Sequence, residues 1–230
     1  MKKQFIKILM KCSDYKITHA TDGIKYVENI ANKKESKRVK YLPHPMKKKL
    51  TLNQSGFEYD IIIWGTISRY KGVGDFLNYL YENKLDSKYK ILIIGKILDK
   101  SYEKEIKKYL SNNIKIINKF VDEDELKASI EKSKLILFTY QRHYVLSSGA
   151  LADSISYGKK VIGPDVGAFK DLKEAGFVQT YNYFDELIEI IDQSLIQKTR
   201  QKSYEIQEFI RANSWPKYAE KLYEWLISEE

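Results

Sequence analysis

The sequence has few of the residues that staple or interrupt a chain: one cysteine, four prolines and eleven glycines in 230 residues. The single Cys12 excludes an internal disulfide framework and fits a reducing compartment. No apolar run approaches the ~18 residues that a membrane-spanning helix needs. The start of the chain is charged like a signal peptide, but Lys7 and Lys11 interrupt its apolar stretch. We therefore expect neither a signal peptide nor a membrane span.

The sequence is rich in apolar residues and in basic residues. Apolar residues make up 43% of the chain, enough for a packed core in one large domain or two small ones. The net charge is +9, and the whole surplus lies in residues 1–50, which hold 14 Lys and Arg against 4 Asp and Glu. Such a segment suits a nucleic acid, an anionic membrane surface or simply a solvated lysine face.

From residue 59 onward, short apolar runs alternate with helical patterns. The predicted strands are 59–64, 90–95, 113–120, 134–140, 159–163 and 177–181, and the predicted helices are 72–85, 101–112, 122–133, 149–157, 168–174 and 183–197. Uniformly apolar strands that alternate with helices predict a parallel sheet covered on both faces, an α/β, doubly wound, Rossmann-like fold. Ligands of such sheets bind outside the carboxyl ends of the strands, so the residues that follow each strand are the candidates.

Two cations follow the first strand of this pattern. Gly65 lets a ligand approach the backbone, and Arg69 and Lys71 suit a diphosphate. The segment lacks the ending of a P-loop, and an ordinary turn with solvent-facing cations is the alternative. After the second strand, Gly95 permits close approach or forms a simple turn. After the third, Phe120 and Val121 could support a nucleobase or pack in the core.

The longest strand-end loop, 139–149, leads into a helix that begins Ser-Ser-Gly-Ala. The free N–H groups of Ser148, Gly149 and Ala150, together with the helix dipole, form a natural phosphate site. Tyr140, Arg142 and Ser147 lie in the same loop, where Arg142 could add charge; the other possibility is that serine merely caps the helix. No metal-spacing cluster and no G-x-S-x-G nucleophile motif occur in the sequence, and a structural role for Cys12 is favoured over pairing with His19.

The order of these motifs resembles the C-terminal, donor-binding half of GT-B glycosyltransferases, especially the family four (group 1) type. The resemblance covers about residues 38–226 and rests on motifs in sequence order: Gly65 to Lys71-Gly72, ILIIG (91–95), NKFVDEDELKASIEKSKLILFTY (118–140), ALADSISYGKKVIG (150–163) and NSWPKYAEKLYEWL (213–226).

The resemblance implies roles for particular residues. Gly65, Arg69 and Lys71 would flank the donor diphosphate, and the start of the helix at 149 would bind it through backbone amides. Asp153 stands at the second glutamate of the family's E-x7-E pair, which holds the ribose hydroxyls. Val145 replaces the first glutamate, and Thr66 replaces the family's usual arginine.

The resemblance also implies a domain division and a function. Residues 1–45 look like a remnant of the N-terminal acceptor domain plus the crossing linker, and residues 46–230 like the donor nucleotide-sugar-binding domain. The implied function is transfer of a hexose from a UDP- or GDP-sugar to a glycan or lipid-linked acceptor in bacterial surface polysaccharide synthesis, without a metal cofactor. The implied location is cytoplasmic, with peripheral attachment to the inner face of the plasma membrane as a further option; no nucleic-acid partner is expected. Because the acceptor half is incomplete, this chain alone is expected to transfer poorly or not at all.

Two rival functions remain at the level of the sequence. A nucleotide-sugar epimerase with a GT-B fold would use the same phosphate-binding logic but would need no acceptor. A noncatalytic nucleotide or nucleic-acid binding module would use the basic segment, and its binding would weaken steeply with salt.

Overall fold

The computed structural model describes residues 2–30, 38–49, 56–144, 146–197 and 203–228. The helices within these ranges are α1 (Lys2–Cys12), α2 (Thr21–Ile30), α3 (Val73–Glu82), α4 (Lys100–Lys107), α5 (Glu123–Glu131), α6 (Gly149–Ser156), α7 (Ala168–Glu174), α8 (Phe184–Ile196), α9 (Ser203–Ala212) and α10 (Trp215–Ser228). The strands are β1 (Lys16–Thr18), β2 (Val39–Tyr41), β3 (Tyr59–Trp64), β4 (Ile91–Ile94), β5 (Ile114–Ile117), β6 (Ser133–Leu137), β7 (Lys160–Pro164) and β8 (Gln179–Tyr181). Short 3-10 turns cover Arg69–Lys71 and Arg142–Tyr144.

Six of the strands form one parallel sheet in the order β5-β4-β3-β6-β7-β8. The strand that comes first along the chain, β3, lies in the interior of the sheet, where Ile61 pairs with Ile91 of β4 and with Leu135 of β6. The chain winds outward from β3 to one edge, returns to β6 and winds to the other edge. This order confirms the predicted doubly wound, Rossmann-like fold and places its topological switch point between β3 and β6.

The core lies in two layers, one on each face of the sheet. Alternate residues of β3 point to opposite faces, so that Ile62 packs in one layer and Ile61 and Ile63 in the other. The first layer is closed by α5, α6, α7 and α9, and the second by α3, α4 and α8. Helices on both faces explain why the strands of this sheet are apolar throughout rather than alternating.

The first segment of the chain forms a separate, two-stranded parallel sheet of β1 and β2. Asp171 of α7 accepts hydrogen bonds from the backbone and the hydroxyl of Thr21, and Met46 bridges to Ser214. The segment is therefore packed against the larger sheet's helices. The division of the chain at residues 45 and 46 remains a prediction.

The boundaries differ from the sequence-based ones at several elements. Helix α4 ends at Lys107 instead of 112, since Lys108 and Tyr109 donate to carbonyls only three residues back. Helix α1 is not among the predicted elements, because the sequence-based prediction uses Lys7 and Lys11 only as evidence against a signal peptide. They are compatible with a surface helix, on which Ile8 and Leu9 are exposed. No described helix is long and apolar enough to cross a membrane.

Candidate functional site

The loops after β3 and β6 meet at the switch point and are tied together by hydrogen bonds. Thr139 donates its hydroxyl hydrogen to the carbonyl oxygen of Lys71 at 2.7 Å, and the backbone N–H of Gln141 donates to the carbonyl oxygen of Tyr70 at 2.9 Å. Trp64, at the end of β3, donates its indole N–H to Ser154 of α6 at 3.0 Å. The two predicted phosphate-binding segments therefore belong to one rigid arrangement.

Lys71 is the buried cation of this arrangement. Its side chain is carried by the 3-10 turn after β3, and the residue is only 9% exposed. Its Nζ atom lies 5.4 Å from the centre of the Tyr140 ring and 3.1 Å from where a Cβ on Gly65 would lie. Burial lowers the pKa of Lys71, and within the described part of the chain no carboxylate forms an ion pair with it. An amine held this way is ready to receive an anion.

Arg69 lies on the same turn but is engaged elsewhere. Its guanidinium donates to Glu105 and Ser101 of α4, is 3.4 Å from Asp99, and stacks over the ring of Tyr102 at 4.8 Å. The side chain is about half exposed. Arg69 would have to exchange these carboxylates for a ligand in order to join Lys71, so its role as a phosphate ligand stays a prediction.

The start of α6 presents free backbone donors. Ser148 is the residue before the helix, and its hydroxyl makes no capping hydrogen bond but contacts the Tyr140 hydroxyl at 3.3 Å. Among the described residues, nothing accepts a hydrogen bond from the backbone N–H groups of Gly149 and Ala150. Tyr140 is buried, which raises its pKa to about 12, so its ring stands neutral between Lys71 and Ser148. Serine is thus not acting as a side-chain cap here, and the helix start remains open to a ligand.

Asp153 lies one turn further along α6 and shares a lysine with a second carboxylate. Residues 42–49, which follow β2, are called the crossing segment. Its Lys49 is 3.3 Å from Asp153 and 3.1 Å from Glu123 of α5, and the side chain of Lys49 is only 13% exposed. Val145 lies outside the described residues. The sequence interpretation missed Lys49, because it took only the residues that follow the predicted strands as candidates.

The remaining candidates lie at the ends of other strands. Phe120 is 73% exposed, so it is free of the core, whereas Val121 packs partly against it. Gly95 has φ +146°, and a Cβ there would fall 1.9 Å from the carbonyl oxygen of Gly65, so the close approach it permits is to the neighbouring strand end.

The guanidinium of Arg142 is held by Asn182 and by the carbonyl of Asp165, at the ends of β8 and β7. Ser147 instead faces a small cavity that also borders the first turn of α6. No group of three or more His, Cys, Asp and Glu residues is arranged to hold a metal ion in the described ranges.

A six-stranded parallel sheet in this order is a doubly wound α/β domain, whose open helix start and buried lysine lie at the switch point. Among solved structures, the fold is that of GT-B glycosyltransferases. The lipopolysaccharide outer core galactosyltransferase WaaB superposes with a TM-score of 0.69 at 14% identity, over 95% of this chain and 63% of that one. HepE of Anabaena, solved in complex with UDP-glucose, superposes with a TM-score of 0.75 at 16% identity, over 99% of this chain and 70% of that one.

A glycosyltransferase of Rickettsia africae gives a TM-score of 0.72 at 14% identity, over 96% of this chain and 65% of that one. No protein-family model and no curated protein matches the sequence. The chain spans less than two thirds of the length of WaaB and of the Rickettsia enzyme. The GT-B fold that the motifs resemble is confirmed by these superpositions.

Proposed function

We propose that this chain binds a nucleotide sugar through its diphosphate group and forms the donor side of a glycosyltransferase. The observation that carries the proposal is Lys71, a cation that is 9% exposed, lacks an ion-pair partner among the described residues and lies at the switch point of the sheet. A buried charge of this kind is unfavourable until an anion joins it. The free N–H groups of Gly149 and Ala150, across Tyr140 from Lys71, supply the neutral half of an anion site.

The names of the similar structures support the choice of ligand. One is a galactosyltransferase and another was solved with UDP-glucose. In the proposed reaction the nucleoside diphosphate leaves the sugar, and the negative charge that develops on it is stabilised by Lys71 and the start of α6, with Arg69 joining if it releases Glu105. This is electrostatic stabilisation by preorganised groups, and we propose that it needs no metal.

The finer parts of the proposal concern the acceptor and the cellular setting. We propose hexosyl transfer to a glycan or lipid-linked acceptor in bacterial surface polysaccharide synthesis, in the cytoplasm. The basic first segment, with Ile8 and Leu9 exposed on α1, would rest on an anionic membrane surface rather than on nucleic acid. Co-sedimentation with anionic but not neutral vesicles tests this attachment.

The resemblance to GT-B enzymes implies two halves with the acceptor bound in the cleft between them. The chain spans 63% of the length of WaaB, and we propose that it supplies the donor side of such a cleft. We therefore propose that this chain alone binds the donor but transfers poorly. Transfer at a rate comparable to that of a full-length relative would contradict this.

The first test is a thermal-shift panel of UDP-, GDP- and dTDP-sugars. A ligand at a hundred times its dissociation constant stabilises the folded state by about 2.7 kcal/mol, so binding should raise the melting temperature by several degrees. We expect at least one nucleotide sugar to do so, and the matching nucleoside, which lacks phosphate, to have little effect. No shift with any member of the panel would refute the proposed function.

The role of Asp153 is tested by comparing two carboxylates that share one lysine. Asp153→Asn should weaken nucleotide-sugar binding about tenfold, because a ribose hydroxyl loses a charged acceptor. Glu123→Gln removes the other partner of Lys49 and should leave affinity nearly unchanged. Equal losses in titration calorimetry would mean that Asp153 acts only through Lys49.

A further inference from the structure

A pair of histidines lies beside the start of α6, and the proposed function so far makes no use of it. The rings of His19 and His44 are 5.0 Å apart between their centres and inclined by 50°. His19 follows β1, and His44 lies between two prolines of the crossing segment. Nδ1 of His19 lies 2.8 Å from the carbonyl oxygen of Leu42, and Nδ1 of His44 lies 3.2 Å from that of Pro45. With Nδ1 as the donor in each ring, Nε2 is the atom left to meet a ligand.

Nε2 of His44 is directed at the first residue of α6. It lies 3.5 Å from the position that a Cβ on Gly149 would occupy. Both imidazoles, together with Ser147 and Ser148, line one small cavity between the crossing segment and the helix start. The imidazole of His44 therefore lies beside the first residue of α6, and the cavity that it lines reaches Ser148, the residue before that helix.

The described acidic groups near His19 and His44 do not pair with either imidazole. Asp171 of α7 and Asp22 of α2 are carboxylates on this side. Asp171 already accepts hydrogen bonds from Thr21 and Tyr41, and Asp22 accepts one from the backbone N–H of Gly167. Burial and Asp171 raise the pKa of Tyr41 to about 12, and burial raises that of Tyr218 of α10, which lies 6.1 Å from His19 between ring centres, so both phenols are neutral. In the part of the chain that the structure describes, no carboxylate forms an ion pair with either imidazole.

A second, independent group that favours an anion lies near the same helix start, on the side of Tyr140. Lys71 is more than nine-tenths buried and unpaired among the described residues, and its Nζ faces the ring of Tyr140. The hydroxyl of that same tyrosine contacts Ser148. The imidazole of His44 and the amine of Lys71 thus both lie near the open helix start.

We propose that His44 is a phosphate-binding residue of this site, donating Nε2–H to an oxygen of the donor's diphosphate from the side of the crossing segment. The proposal rests on the proposed function and adds a protonatable side chain to the proposed diphosphate site. Because an imidazole changes charge between about pH 5 and 8, donor binding should be tighter when His44 is protonated. The crossing segment would then contribute to donor binding as well as linking two parts of the chain.

The test measures the affinity for UDP-glucose and GDP-mannose by calorimetry at about pH 6 and about pH 8, between which an imidazole loses its charge. The diphosphate diester of these probes keeps its own charge over this interval. We expect wild type to bind about tenfold more tightly at the lower pH. His44→Gln keeps a neutral N–H near the same place, so it should bind with little dependence on pH. His143→Gln, an exposed imidazole outside the cavity, is the matched control and should behave as wild type.

A second variant tests the geometry without changing a charge. Gly149→Ala places a methyl group in ordinary contact with Nε2 of His44, at a helical position without positive φ. The fold should tolerate it, and the melting temperature without ligand should not fall. Affinity should fall about tenfold, since the methyl group separates the imidazole from the helix start.

The possible results distinguish a failure of the proposed role of His44 from a failure of the proposed function. If His44→Gln binds the donor as tightly as wild type and with the same pH dependence, the role of His44 is overturned and the proposed function still stands. Binding by Gly149→Ala that matches wild type overturns the shared site in the same way. Absence of any binding by wild type, with these probes and the wider panel, overturns both.

Discussion

Replacing Lys71 with methionine is expected to weaken nucleotide-sugar binding about 10- to 100-fold while making the unliganded protein more stable. The loss of binding follows from removing a charge-assisted contact to phosphate. The gain in stability follows because Lys71 is buried without a carboxylate partner among the described residues, and an apolar side chain of similar length avoids that desolvation. If about 1 kcal/mol is recovered, the melting temperature should rise by about 2–4 °C.

The pH dependence of this gain has a definite sign. Burial lowers the pKa of Lys71, so between the lowered value and the ordinary value of about 10.4 the unfolded chain holds a proton that the folded chain has lost. The charge therefore destabilises the wild type at neutral pH, and this effect disappears as pH rises into the alkaline range. The stability difference between Lys71→Met and wild type should shrink accordingly in denaturant titrations.

The matched control for Lys71 is Lys104→Met on the exposed face of α4, which should change neither affinity nor stability appreciably. A Lys71→Met protein that binds as tightly as wild type would remove the main support for the proposed diphosphate site. A variant that loses both binding and stability would instead indicate a structural role for this amine.

Replacing Gly72 with alanine is expected to lower the free energy of unfolding by about 2–5 kcal/mol, from strain and overpacking together. Gly72 ends the 3-10 turn that carries Lys71, with φ +66°, a left-handed conformation that disfavours any side chain. A Cβ there would lie 2.1 Å from the carbonyl oxygen of Thr139, a backbone atom that cannot rotate away. The turn would have to shift away from the end of β6 and would move Lys71 with it.

The matched control for Gly72 is Gly56→Ala. Gly56 also has positive φ, +77°, but no heavy atom lies within 4 Å of its would-be Cβ. It should therefore lose only the conformational term, about 1 kcal/mol. Chemical denaturation of the two variants separates strain from collision, and losses of similar size would contradict the close approach of the β3 and β6 loops.

The sequence predicted the fold better than the site. Apolar strands alternating with helices are enough to imply a doubly wound parallel sheet, because only helices on both faces can cover such strands. Gly65 to Gly72 and the start of α6 were both expected at strand ends, and the parallel order of β3 and β6 brings them together. Their assignment as ligand residues remains a prediction.

Side-chain direction was the part that the sequence could not supply. Arg69 and Lys71 looked equivalent, yet one is drawn to Glu105 on α4 and the other is buried against Tyr140. Neither Lys49 nor His44 follows one of the six predicted strands, and long-range packing alone brings them to Asp153 and Gly149. A Pro-His-Pro segment and a run of lysines carry no local pattern that would reveal such neighbours.

The sequence by itself determined the layers of this protein, since hydrophobic periodicity specifies which face of each element is buried. It also determined that the loops after the strands lie at one edge of the sheet, because alternating strands and helices make the strands parallel. Only the tertiary structure decided which of the two cations after β3 is buried, which helix start lacks acceptors among the described residues and which imidazole faces it. Those properties depend on contacts between residues far apart in the chain, and burial and charge pairing exist only once the chain is folded.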